Sequence, residues 1–146
     1  MKTISIIIPT YNSASTIRQC LESVFNQDYP MNKIEVLIID DKSTDNTVDI
    51  VKEFNTSVLI NGHHSFNIGY SIGLRNSKND LVLCLDSDVI LTSTKTLKKL
   101  VQPFLDDHNI TGSTPAWFNY NKRHSIPDRY SSFFGSHGPF AYHLGR

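Results

Sequence analysis

Four short apolar runs punctuate the first half of the chain: Ile4-Ser5-Ile6-Ile7-Ile8, Glu35-Val36-Leu37-Ile38-Ile39, Val58-Leu59-Ile60 and Leu81 to Leu85. They do not alternate with polar residues as a half-exposed strand does, so the first, second and fourth read as strands buried on both faces and Val58-Leu59-Ile60 as a weaker strand. The segments between them carry apolar residues at helical spacing. Ile17, Cys20, Leu21, Val24 and Phe25 follow Asn12, a candidate helix cap, and Tyr29-Pro30 closes that helix. Val48, Val51 and Phe54 follow the caps offered by Ser43-Thr44-Asp45-Asn46. A short glycine-containing helix is expected over residues 67–76, with Ile68 and Ile72 on one face. Leu97, Leu100, Val101, Phe104 and Leu105 mark another helix, which Pro103 should kink or end. Buried strands alternating with helices leave few solutions, and the expectation is an α/β fold with a parallel sheet covered on both sides.

Size and composition agree with one such unit. The chain has 146 residues, 39% of them hydrophobic, enough for the core of a single domain. Fourteen basic residues balance fourteen acidic ones, which argues against a nucleic-acid partner. No apolar run approaches the roughly 20 residues of a transmembrane segment. The N-terminus enters a strand directly, without a signal-peptide layout. Cys20 and Cys84 are far apart and form no CxxC pair, so they are expected to be reduced thiols of a cytoplasmic protein. From about Thr111 the periodicity fails. Trp117, Phe118, Tyr120, Tyr130, Phe133, Phe134, Phe140 and Tyr142 are interleaved with Gly, Ser, Pro and His. Residues 1–146 are therefore read as one domain, with an α/β core over 1–110 and a different kind of segment over 111–146.

In parallel α/β sheets ligands bind beyond the carboxyl ends of the strands. Pro9-Thr10-Tyr11-Asn12 follows the first strand, Asp40-Asp41 the second and Asp86-Ser87-Asp88 the fourth, so polar clusters converge on one edge. Asp86 and Asp88 can both face one ligand once the chain turns, and paired carboxylates suit Mg²⁺ or Mn²⁺ shared with phosphates. They can equally accept backbone N–H bonds in a turn. Of Asp40 and Asp41, one can cap the helix near Ser43 and the other can accept a ligand N–H. Tyr11 offers a flat face to a base, or packs at a strand end. His63, His64, His124, His137 and His143 show no zinc spacing and are read as loop residues.

Taken together, ISIIIPTYN, VLIIDDKSTDNT, NIGYSIGLRN and LVLCLDSD resemble the N-terminal half of family 2 glycosyltransferases with the GT-A fold, in order and spacing over residues 4–105. The resemblance implies a metal-dependent inverting transferase that takes a nucleotide-diphospho-sugar, commonly a UDP-sugar, to a saccharide or lipid-linked acceptor. It implies that Pro9, Tyr11 and Asp41 hold the base and ribose, with Asp40 beside them. Asn67, Gly69 and Arg75 would border the diphosphate and sugar. Asp86 and Asp88 would be the DxD pair, Asp88 the direct ligand of Mn²⁺ or Mg²⁺ and Asp86 nearer the ribose and sugar. It also places the protein in the cytoplasm or at the inner face of the membrane.

The chain departs from the family pattern in two places. Ser77 stands where glycine is common, which weakens a specific role for Arg75. Family members also continue to an acidic base, and after Asp88 only Asp106, Asp107 and Asp128 are acidic. No base is assigned; Asp128 is the fallback. The expectation is a donor-binding half whose aromatic segment forms an acceptor wall, awaits further core, or self-associates. Two alternatives stand beside this reading. One is a nucleotide-sugar-binding fragment without catalysis. The other is a phosphatase of the haloacid dehalogenase type, whose nucleophilic Asp normally closes the first strand and not the fourth.

Overall fold

The computed structural model describes residues 1–114 and the backbone of residues 140–143. Strand β1 (Ile4–Thr10) lies at the centre of a sheet ordered β3-β2-β1-β4-β6-β5. β2 (Ile34–Asp40), β3 (Ser57–Ile60) and β4 (Leu81–Cys84) run parallel to it. β6 (Phe140–His143) pairs antiparallel with β4 and β5 (Gly112–Ser113) antiparallel with β6. The expected parallel α/β sheet is present, and the segment after Thr111 adds strands to that same sheet.

Alternation along the strands sorts the core into two layers. Ile4, Ile6 and Ile8 of β1, Val36 and Ile38 of β2, and Leu81 and Leu83 of β4 face one way. They meet α1 (Ile17–Phe25), α2 (Thr47–Val51) and α4 (Thr96–Asp106) through Ile17, Cys20, Leu21, Val24, Val51, Leu97, Leu100, Val101 and Phe104. Ile7, Leu37, Ile39 and Val82 face the other way, onto α3 (Phe66–Asn76). No described helix is long and apolar enough to cross a membrane.

The structure adds local detail to the sequence expectation at four points. β1 continues through Pro9 to Thr10. Leu85 N–H donates to Ile7 O while Asp41 N–H donates to Thr10 O, so odd-numbered residues of β1 turn their backbone toward β4. The β4 ladder stops at the Ile7–Cys84 pair, and the missing N–H of Pro9 falls where it has no strand to serve. Helix α1 starts later than Asn12, with Thr16 at the N-cap; Asn12 adopts φ 49° and its Oδ1 accepts the N–H of Thr44 at 2.8 Å. Pro103 lies inside α4, which continues to Asp106. In α3 the fully buried positions are Gly69 and Gly73, whereas Ile68 is exposed and Ile72 packs at the margin of the sheet. A Cβ on Gly73 would sit 2.3 Å from Ile7 Cγ2. The two glycines let α3 lie against β1 almost backbone to side chain.

Candidate donor-binding site

Strand parity separates the two adjacent carboxylates at the end of β2. Asp40 falls on the α1 face and is 1% exposed. Its Oδ1 accepts the hydroxyls of Thr10 (2.9 Å) and Ser43 (2.6 Å), and its Oδ2 accepts the N–H of Ser43 (2.9 Å). Asp40 is engaged in holding the turn that opens into α2; it supports the edge from beneath and does not face out from it. Asp41 falls on the α3 face, where Oδ1 accepts the N–H of His64 at 3.1 Å and Oδ2 lies 3.9 Å from His64 Nδ1. The Tyr11 ring is half exposed and meets His64 edge to face at 6.1 Å between centroids. Tyr11, Asp41 and the loop from Gly62 to Ser65 thus form one wall of the edge.

The same parity governs the end of β4. Leu85 packs into the α1 layer, so Asp86 turns to the α3 face. There Tyr70 donates its hydroxyl to Asp86 Oδ1 at 2.6 Å. Burial, followed by this bond, holds the Tyr70 phenol well above its ordinary pKa. The chain then turns, with Val89 N–H donating to Asp86 O, and Asp88 emerges exposed with no hydrogen bond or ion pair among the described residues. Ser13 and Ser87 share a hydroxyl bond of 2.9 Å, tying this turn to the loop after β1. Cys20 Sγ donates to Asp86 O at 3.7 Å from the other side.

The remaining candidates divide along α3. Ser65 at its N-cap makes no side-chain cap bond, and among the described residues the first-turn N–H groups find no other partner, which suits an anion. Asn67 is exposed in that turn, and Gly69 packs closely against Pro9, since a Cβ there would lie 3.2 Å from Pro9 Cβ, a tight contact. Pro9 itself is buried and serves as the surface on which α3 rests. Arg75, in the last turn of α3, lies about 12 Å of helix rise beyond Asn67, and the chain enters the start of β4 soon afterwards, so Arg75 lies toward the opposite ends of the strands. Tyr11, Asp41, Asn67, Asp86 and Asp88 gather at one edge; Arg75 does not join them. Asp128 lies outside the described residues, as do the aromatics from Trp117 to Phe134 and the side chains of Phe140 and Tyr142.

Two participants escaped the sequence reading. Tyr70 sits inside NIGYSIGLRN, and its offset from Gly69 and Gly73 is the signal that would have found it. In sequence His64 is a loop histidine like its neighbours; its φ of 49° and its contact with Asp41 have no local sequence signature.

A divalent cation fits this donor set. Asp86 and Asp88 supply hard oxygens, and no group of three or more His, Cys, Asp or Glu among the described residues completes a cage. Such a pair suits an ion that takes its other ligands from phosphates. Burial holds the neighbouring thiols in the protonated form: it pushes Cys20 up to about 12, with Asp88 and Asp86 adding to it, and Cys84 up to about 11, with Asp86 adding to it. The expected result is slow reaction of both thiols with a disulfide reagent at pH 8 in the folded protein and complete reaction in denaturant. Because the folded Cys20 keeps its proton where the unfolded one, at 9.0, has lost it, stability should fall as pH rises from about 9 to about 12. Rapid native labelling of Cys20 would contradict its burial.

Comparison with known proteins matches residues 5–143 to the model described as glycosyl transferase family 2. A dolichyl N-acetyl-alpha-D-glucosaminyl phosphate 3-beta-D-2,3-diacetamido-2,3-dideoxy-beta-D-glucuronosyltransferase of Methanococcus voltae is 40% identical over 90 residues, covering 57% of this chain and 28% of that protein. Among solved structures, S. aureus TarS 1-349 in complex with UDP-GlcNAc superposes with a TM-score of 0.72 at 31% identity, covering 84% of this chain and 36% of that one. Mannosyltransferase PcManGT from Pyrobaculum calidifontis, in complex with GDP-Man and Mn2+, gives 0.78 at 23% identity over 97% of this chain and 44% of that one, a likeness of fold. The chain thus spans well under half the length of these relatives.

Proposed function

The chain belongs to glycosyl transferase family 2, and on that premise we propose that its sheet edge binds a UDP-sugar for transfer to a saccharide or lipid-linked acceptor. The observation that carries this reading is the sorting of carboxylates. Asp40 is consumed by the turn, while Asp41 and the pair Asp86 and Asp88 are delivered to one edge beside the open first turn of α3. Similarity to TarS, solved with UDP-GlcNAc, supports uridine as the base.

In this reading the uracil rests on Tyr11 and donates its imide N–H to Asp41. The diphosphate lies at the first turn of α3, where unpaired N–H groups and the positive end of the helix dipole favour it. Asp86 and Asp88 would hold Mg²⁺ or Mn²⁺ there, and such an ion, when bound, would supply Lewis-acid stabilisation of the nucleoside diphosphate leaving group. Gly69 keeps the helix close to Pro9, which leaves the diphosphate a shallow bed. An acceptor hydroxyl attacks the anomeric carbon in line, with inversion, and its proton passes to a base beyond the described residues.

Calorimetry with nucleotides tests the base site. Asp41→Ala should weaken UDP by about one to two decades, the cost of one unpaired polar partner of about 1–3 kcal/mol. A purine nucleoside diphosphate should lose much less. Equal losses for both bases would reduce Asp41 to a support for the His64 loop.

A further inference from the structure

We propose that Tyr70 is a positioning residue of the donor site: its hydroxyl commits Asp86 Oδ1 to the protein and leaves Oδ2 as the oxygen Asp86 offers to a ligand. The inference rests on reading Asp86 and Asp88 as the pair that shares a cation with the diphosphate, and three observations carry it. The phenol lies 2.6 Å from Asp86 Oδ1, a short charge-assisted bond. Gly69 and Gly73 seat α3 tightly enough on β1 for a side chain between them to reach the end of β4. The other groups that hold the turn, Ser13 on the Ser87 hydroxyl and Cys20 on the Asp86 carbonyl, do not touch the Asp86 carboxylate. Among the described residues Tyr70 alone fixes its orientation. The two acids therefore differ: Asp86 is held, and Asp88 is free to swing.

A held carboxylate contributes to metal affinity because its orientation is settled before the ion arrives. Removing the partner that orients a ligand typically costs about 10–100-fold in affinity. The experiment measures Mn²⁺ binding to the UDP-loaded protein by the electron paramagnetic resonance signal of free Mn²⁺, and UDP binding without metal by calorimetry. Tyr70→Phe should weaken Mn²⁺ by about 10–100-fold while metal-free UDP affinity stays within about twofold. In an Asp86→Asn background the same change should cost nothing further, which a general packing defect would not reproduce. Mn²⁺ affinity within about twofold of the parent, a loss that persists beside Asp86→Asn, or loss of cooperative melting in Tyr70→Phe would each overturn the proposal. Absence of Mn²⁺ binding by the UDP-loaded parent would overturn the metal reading itself and take this inference with it.

Discussion

Replacing Asp88 with alanine is expected to abolish the gain in UDP affinity that Mn²⁺ confers, with the metal-free affinity almost unchanged. Asp88 is exposed and unpartnered among the described residues, so its removal strips a ligand without unsettling the turn. The loss should be about two decades or more, since even the partner of a ligating group costs about 10–100-fold. Calorimetric titration of UDP with and without Mn²⁺ reads it directly. The melting temperature supplies the contrast. Asp88→Ala should leave it in place, whereas Asp86→Ala should lower it, because the half-buried Tyr70 hydroxyl loses its acceptor. A full metal enhancement retained in Asp88→Ala would remove Asp88 from the site.

Gly73→Ala should be the more damaging change to the fold. On an exposed helix this substitution is favourable by about 1 kcal/mol. Here the new Cβ would lie 2.3 Å from Cγ2 and 2.9 Å from Cδ1 of Ile7, which is fully buried at the centre of the sheet. Overpacking of this kind costs about 1–3 kcal/mol or more, so the net effect is destabilising. Thermal unfolding should shift down by several degrees, at about 4 °C per kcal/mol for a chain of this size. Pairing it with Ile7→Ala should recover part of the loss. A melting temperature equal to or above the parent would show that α3 is not seated as described. Gly69→Ala, which meets Pro9 Cβ at 3.2 Å, should be milder.

The sequence carried the sheet clearly, because unbroken β-branched runs such as Ile6-Ile7-Ile8 and Leu37-Ile38-Ile39 have few uses except as strands covered on both sides. It carried the convergence of polar clusters as well, since parallel strands put their carboxyl ends on one edge. What it left open was the face each side chain takes. The pair Asp40-Asp41 offers two identical groups, and only the parity inherited from Val36 and Ile38 assigns Asp40 to the turn. The distance of Arg75 from the other candidates is hidden in the motif, because a motif read as a string conceals the length of the helix that bears it. Pro9 looked like a stop; the early end of β4 makes it harmless. Tyr70 and His64 depend on contacts between elements distant in sequence, which no local pattern announces.

One feature of the sheet bears on how the chain acquires its site during synthesis. β3, β2, β1 and β4 lie side by side in that order and are complete within the first 84 residues, but the outer edge of β4 is met by β6, where Cys84 pairs with Phe140. Bringing together strands so far apart in sequence carries an entropic cost that local pairing does not. As the polypeptide leaves the ribosome, the β3-β2-β1-β4 side of the sheet can assemble early, while the strand that leads into Asp86 keeps a bare flank until its late partner arrives.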